Sequence, residues 1–295
     1  MEAMRTLRAA DGAQIAYCAS APAAQCGALV LLHGVASNHT RWTEFARETA
    51  LRDRWALLRP DLRGQGASTF RGRIGLAELC TDLAGLLDAE QCSRAVIAGH
   101  CLGANLALAF AASHPGRTAG LVLIEPMPTE ALAGAMRRLR RLRILLRLSA
   151  LLVRAFNALG VHRRKLAPLD LEALDRETRA ALARGPEGEA QLARYASPLA
   201  DLRSTATGAY LQALMAVTEP LPHPERIESP VLALISGHRG FTEPQRTRGF
   251  LSKIPDCEIA EIRSRHWIPT EQPRAMRSAI ETWVRARFER IAPAP

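Results

Sequence analysis

Lysine is almost missing. Of 39 basic residues only Lys165 and Lys253 are lysines, so the basic surface is arginine, a bias that a GC-rich genome produces as readily as phosphate recognition does. Aromatic residues are also scarce, at 5 %. No arginine run is interleaved with aromatics and no recognition motif is present, which argues against a nucleic-acid binder. The six cysteines (Cys18, Cys26, Cys80, Cys92, Cys101, Cys257) form no Cys-x-x-Cys pair and no Cys/His cluster, which excludes a zinc site and leaves no expected metal or cofactor. No apolar run reaches the roughly 18 residues of a membrane span, and residues 1–11 lack a secretory leader's apolar core. The expectation is a cytoplasmic, reducing setting with free thiols. Internal repeats and low-complexity tracts are absent as well.

What is present is a folding chain: 295 residues, 48 % apolar and 23 % charged, enough for one large domain with an insertion. Its formal net charge is +10, which suggests an acidic partner.

Apolar runs of strand length occur at 14–18, 28–32, 55–58, 95–98, 121–124, 231–235 and 257–262, with helical periodicity between most of them, as at 76–87 and 102–112. That alternation predicts a mostly parallel sheet with helices on both faces, an α/β fold. Met276, Ile280, Val284 and Phe288 recur every fourth residue, predicting a closing amphipathic helix over 273–290. Residues 127–222 break the rhythm: the pattern is helical, interrupted at Gly160, Pro168, Gly185-Pro186 and Pro198, and bounded by proline-rich punctuation. They are expected to form a helical cap inserted between two core segments, 1–126 and 223–295.

The strongest local signal is Gly99-His100-Cys101-Leu102-Gly103, between an apolar strand and a helical run. A residue displayed on so tight a strand-turn-helix needs glycine neighbours. At a helix N-terminus the Cys101 thiolate would be stabilised by free N–H groups and the helix dipole. Leu31-Leu32-His33-Gly34-Val35, the segment Asp61-Leu62-Arg63-Gly64-Gln65-Gly66-Ala67-Ser68, and Arg265-His266-Trp267 before the last helix complete a set of four motifs in order. Together they resemble the alpha/beta-hydrolase superfamily over nearly the whole chain, with cysteine where serine is usual. The resemblance implies an eight-stranded sheet and an acyl-transfer site.

In such a site Cys101 is the nucleophile, His266 the general base and acid, and the N–H groups of Leu102 and Val35 the oxyanion donors. The family's usual place for the third member, after 231–235, offers only Gly237-His238-Arg239-Gly240. Glu125, after the preceding strand, takes a position that some haloalkane dehalogenases of the superfamily use. Glu243 and a Cys-His dyad stay open as alternatives. Ser37, Asn38, Trp42 and Trp267 are candidates to line the acyl pocket. Asp61 and Arg63 are read as pinning their loop, and His33 and His100 as shaping their turns.

The charge is local. Residues 134–166 hold ten basic and no acidic side chains, so the remainder has 29 of each. Arg140, Arg147 and Arg154 repeat every seventh residue opposite Leu139, Leu142, Leu146 and Val153, predicting one amphipathic helix with a cationic face. It suits a solvated cap, a phosphate-bearing carrier such as coenzyme A, or an anionic membrane surface. The functional expectation is a cofactor-independent hydrolase of an ester, lactone or thioester working through a thioester acyl-enzyme. Dienelactone hydrolases and polyhydroxyalkanoate synthases use cysteine in this fold. The alternatives are an acyltransferase with the same intermediate and a non-catalytic ligand-binding member of the fold. The partner is a small acyl substrate, anionic or carrier-linked; the sequence carries no indication of oligomeric state.

Overall fold

Side chains along a strand alternate between the two faces of a sheet, so a strand that is apolar throughout demands cover on both sides. In the computed structural model, which describes residues 2–23, 26–163, 165–185, 188, 195 and 197–289, eight strands meet that demand together. They are β1 (Ala3–Arg8), β2 (Gln14–Ser20), β3 (Gly27–Leu32), β4 (Trp55–Pro60), β5 (Ala95–His100), β6 (Thr118–Ile124), β7 (Val231–Ile235) and β8 (Cys257–Glu261). Arg164, Pro186 and the last residue of the expected 273–290 helix lie outside the described residues.

The order across the sheet is β1-β2-β4-β3-β5-β6-β7-β8. β2 runs antiparallel to β1 and β4, and every other pair is parallel. β1 has no counterpart among the apolar runs of the sequence. It is an edge strand, exposed along almost its whole length, so it carries no hydrophobic signature, and it is held by a hairpin whose Gly12 takes φ 86°.

Alternation within β3 shows how the layers form: Val30 and Leu32 enter one apolar cluster, Leu29 and Leu31 the other. The first cluster includes α2 (Leu76–Ala89) and α3 (Leu102–Ser113). The second is closed by Phe45 of α1 (Thr43–Glu48) and by Met276, Ile280, Trp283 and Val284 of the C-terminal helix. The period-four pattern of that helix thus marks its buried face.

Between β6 and β7 the described residues form α4 (Gly134–Arg141), α5 (Arg143–Ala158), α6 (Leu171–Arg184), α7 (Pro198–Ser204) and α8 (Thr207–Val217), and no strand. The single basic helix expected from the heptad spacing is instead two. The α-helical run stops at Leu142 (φ −90°, ψ 13°), whose N–H is shared between the carbonyls of Arg138 and Leu139, both at 3.1 Å. Pro198 begins a helix rather than interrupting one, as suits a residue without an N–H to lose. α6 is tied to the core by a buried pair: Arg41 Nη1 donates to both oxygens of Asp175 at 2.6 Å and to Thr270 Oγ1 at 2.6 Å. After β7 come α9 (Pro244–Leu251), α10 (Ile268–Glu271) and α11 (Pro273–Phe288).

The loop after β4 is fixed by charge. Arg63, 2 % exposed, donates from Nε and Nη2 to Asp82 at 2.8 and 2.5 Å and from Nη1 to Asp11. Removing one partner of a buried pair leaves the other charge uncompensated. Arg63→Ala is therefore expected to lower unfolding stability by about 3–5 kcal/mol in urea titration, and Arg63→Met with Asp82→Leu to recover most of that loss.

Candidate active site

The elbow between β5 and α3 is built by exclusion. A Cβ on Gly99 would fall inside the backbone of Gly103 and Ala104, and one on Gly103 would strike the Leu32 and His33 carbonyls. Strand, helix and the end of β3 therefore approach to backbone contact. Cys101 between them takes φ 54°, ψ −112°, a conformation that L-residues seldom adopt and that the surroundings must hold. Its N–H donates to the Ile124 carbonyl at 3.0 Å, and its carbonyl accepts from Ala104 and Asn105, both at 3.1 Å. The thiol is buried, with Sγ 3.4 Å from Met127 Sδ.

His266 reaches the same point from the loop after β8. Its Nδ1 lies 3.2 Å from Glu125 Oε2, while its backbone carbonyl accepts from His100 Nε2 at 3.0 Å. Phe241 packs edge-on against its ring, 4.8 Å between centroids. Burial alone would disfavour the imidazolium, but the charge of and hydrogen bond to Cys101, with the Glu125 carboxylate, outweigh it and hold the His266 pKa well above the usual histidine value.

Glu125 leaves the end of β6 at φ 50°. Its N–H donates to the Leu234 carbonyl at 3.0 Å, and its Oε1 accepts from the N–H of Ser236. The carboxylate thus lies over the end of β7, beside the place left empty by Gly237-His238-Arg239-Gly240. The structure brings Cys101, His266 and Glu125 together. Glu243 it places elsewhere: at the start of α9, held by Arg137 at 2.5 Å and Arg246 at 2.8 Å.

The Gly34–Val35 backbone passes directly above the elbow, because a Cβ on Gly34 would lie 3.3 Å from Cys101 Cβ. Leu102 opens α3, where a first-turn N–H has no helical carbonyl to bond. His33 holds the passing loop in place: Nδ1–H donates to the Gly34 carbonyl at 2.8 Å and Nε2 accepts from the Leu62 N–H at 2.9 Å.

Above Cys101 lies a cavity of about 390 Å³ whose walls include Val35, Met136, Leu139, Leu171, Leu214 and Trp267. Ser37 also faces it, with a buried hydroxyl that has no partner among the described residues. Two pocket candidates belong elsewhere. Trp42 is fully buried against Phe45, 5.8 Å between ring centroids, and Asn38 donates to the Leu169 carbonyl at 2.7 Å and borders a neighbouring cleft. Asp201 is in the wall as well, its pKa pushed up to about 6 by burial despite a hydrogen bond from Tyr210. None of the arginines of α4 and α5 lines the cavity; from α4 only apolar side chains reach it.

Sequence reasoning missed three supports. Asn105 clamps Met127 by accepting from its N–H at 2.9 Å and donating to its carbonyl at 3.3 Å. Met127 in turn is set against the thiol. His39 caps Asp61 through N–H and Nδ1 at 2.6 and 2.8 Å. Of these three only Met127 lies in a segment singled out by sequence, the proline-rich punctuation Pro126-Met127-Pro128 at the start of the expected cap. Among the described residues no cluster of three His, Cys, Asp or Glu could hold a metal ion, and no helix is long and apolar enough to cross a membrane.

Burial lowers the His33 pKa from 6.5 to about 4. A depressed folded-state value means that stability is fully present above the unfolded pKa and lost as pH falls through the folded one. Urea unfolding stability is expected to drop by roughly 3 kcal/mol between pH 6.5 and 4 from this residue, with a flatter profile in His33→Gln. Equal slopes in the two proteins would contradict it.

A sequence model of the "Alpha/beta hydrolase family" matches residues 29–279. An uncharacterized protein of Mycobacterium tuberculosis is 32 % identical over 98 residues, 33 % of this chain and 28 % of that protein; the match thus spans less than a third of the relative's length. The crystal structure of a hydrolase from Pseudomonas aeruginosa is similar with a TM-score of 0.70 at 23 % identity, covering 95 % of this chain and 98 % of that one. The enol-lactonase from Burkholderia xenovorans is similar with a TM-score of 0.69 at 17 % identity, covering 95 % and 99 %.

Proposed function

The chain belongs to the alpha/beta hydrolase family, and from that premise we propose that it hydrolyses an ester, lactone or thioester with an apolar acyl group, using Cys101, His266 and Glu125. The observation that carries this reading is the buried Glu125–His266 contact at 3.2 Å beside a cysteine held on a strained elbow. Glu125 accepts from Nδ1–H of His266, which leaves Nε2 to exchange a proton with the thiol. Cys101 Sγ attacks the acyl carbonyl carbon, and the N–H groups of Leu102 and Val35 receive the developing oxyanion. His266 passes the thiol proton to the leaving alcohol or thiol as the tetrahedral species collapses to a thioester. Water then attacks the thioester carbonyl, giving its proton to His266, and the proton returns to Cys101 as the carboxylic acid departs.

Most of the cavity wall is apolar and its Arg41 is already paired with Asp175, which supports an uncharged acyl chain. The cationic side chains of α4 and α5 stand outside the cavity, so they give no support to recognition of an anionic acyl group inside it. The enol-lactonase of similar fold supports a carbonyl carbon as the target. Thiolate chemistry also requires Cys101 to stay reduced, as it would in a cytoplasmic setting.

Turnover of p-nitrophenyl acetate, butyrate and octanoate tests the assignment. Cys101→Ala is expected to abolish turnover, and Glu125→Gln to lower kcat by roughly a hundredfold or more, the scale of losing the group that orients the base. Glu243→Gln is expected to leave it unchanged. The reverse order of the two glutamate variants would overturn the assignment of the acid.

A further inference from the structure

The arginine-rich segment has no part in the proposed chemistry, yet it carries the most unusual surface of the molecule. Eleven large apolar side chains are solvent-exposed among the described residues, and nine of them fall between Leu142 and Val161. α5 packs onto α8 through one side only: Ala150 is its one buried residue, and Val153 and Asn157 lie against Gly208. At roughly 3.6 residues per turn, that packing turns Ile144, Leu145, Leu148, Leu151, Leu152 and Phe156 outward, each between 47 % and 68 % exposed. Leucines face solvent where a solvated cap would carry charge, and exposed apolar area of this extent marks an interaction site.

The charges beside that face identify what covers it. Arg143, Arg147 and Arg154 line one flank of the apolar face at helical spacing, with Arg138, Arg140 and Arg141 at the end of α4 just before it. Arg138, Arg140, Arg141 and Arg154 form no ion pair with a described carboxylate. We propose that α5 docks on an anionic lipid bilayer, lying in the plane of the surface with its leucines among the acyl chains and the arginines at the headgroup phosphates. Its 16 residues extend roughly 24 Å, short of the ~30 Å hydrocarbon core, so it rests in the interface and does not span. A second copy of the chain is disfavoured, because a symmetric contact would set two acid-free cationic segments against each other. A soluble phosphate carrier would meet the arginines and leave the leucines uncovered. The docking does not depend on the reaction proposed above, although Met136 and Leu139 of α4 continue from this surface into the cavity wall.

Co-sedimentation with vesicles tests it. The full chain is expected to pellet with phosphatidylcholine–phosphatidylglycerol vesicles at low salt, to be released as salt is raised, and to stay in solution with phosphatidylcholine alone. Leu148→Ser with Leu152→Ser, both surface positions outside the cavity, is expected to weaken binding roughly tenfold or more. Arg138→Ser, Arg140→Ser and Arg141→Ser together are expected to weaken it on the order of a hundredfold. No pelleting with the anionic vesicles, or pelleting unaltered in both variants, would overturn the proposal. So would a wild-type dimer in sedimentation velocity that the leucine variant converts to monomer, because the face would then be an interface between copies.

Discussion

The backbones of β3, β5 and α3 meet at Gly99 and Gly103 with no room for a side chain, and the placing of every other group in the site follows from that contact. It forces Cys101 into positive φ at the head of α3, below the Gly34–Val35 backbone. It also fixes where the thiol points, and so where the proposed base must stand to reach it. His266 comes from the far end of the chain and Glu125 from the neighbouring strand; both arrive at a point already defined by two glycines. Large apolar clusters on each face of the sheet make the arrangement affordable, since the positive-φ residues Cys101 and Glu125 would relax if the strands beneath them were free to move.

Much of this is written locally in the chain. Strands buried on both faces, such as β3 and β5, are legible because burial selects continuous apolar runs; β1 is not, because an exposed edge strand needs only hydrogen bonds, and those leave no mark on composition. The elbow is legible because steric exclusion demands glycine at fixed offsets. Proximity across the sheet is a different matter. Glu125 and Ser236 are distant in sequence, and only the parallel register of β6 against β7 puts the carboxylate over the end of the next strand. Trp42 shows the opposite failure: it follows the His33-Gly34 loop closely in sequence, but its side chain turns into the core, a direction that position in the chain does not encode.

The arginine-rich segment shows how a periodic pattern can mark a helix and mistake its faces. A heptad of arginines opposite leucines reads as charge outward and apolar inward. In the structure the inward side is narrow, the arginines occupy a flank, and the broadest face is apolar and open. The net charge and the exposed leucines are then properties of one surface beside the cavity.

The account stands or falls on whether Cys101 carries the acyl group. Brief incubation of the protein with p-nitrophenyl acetate, quenching in acid and peptide mapping by mass spectrometry reads this directly. An acetyl group on the peptide containing Cys101, absent from Cys101→Ala, is the predicted result. Turnover with no adduct at Cys101, or with the acetyl group on another residue in the wild-type protein, would contradict it.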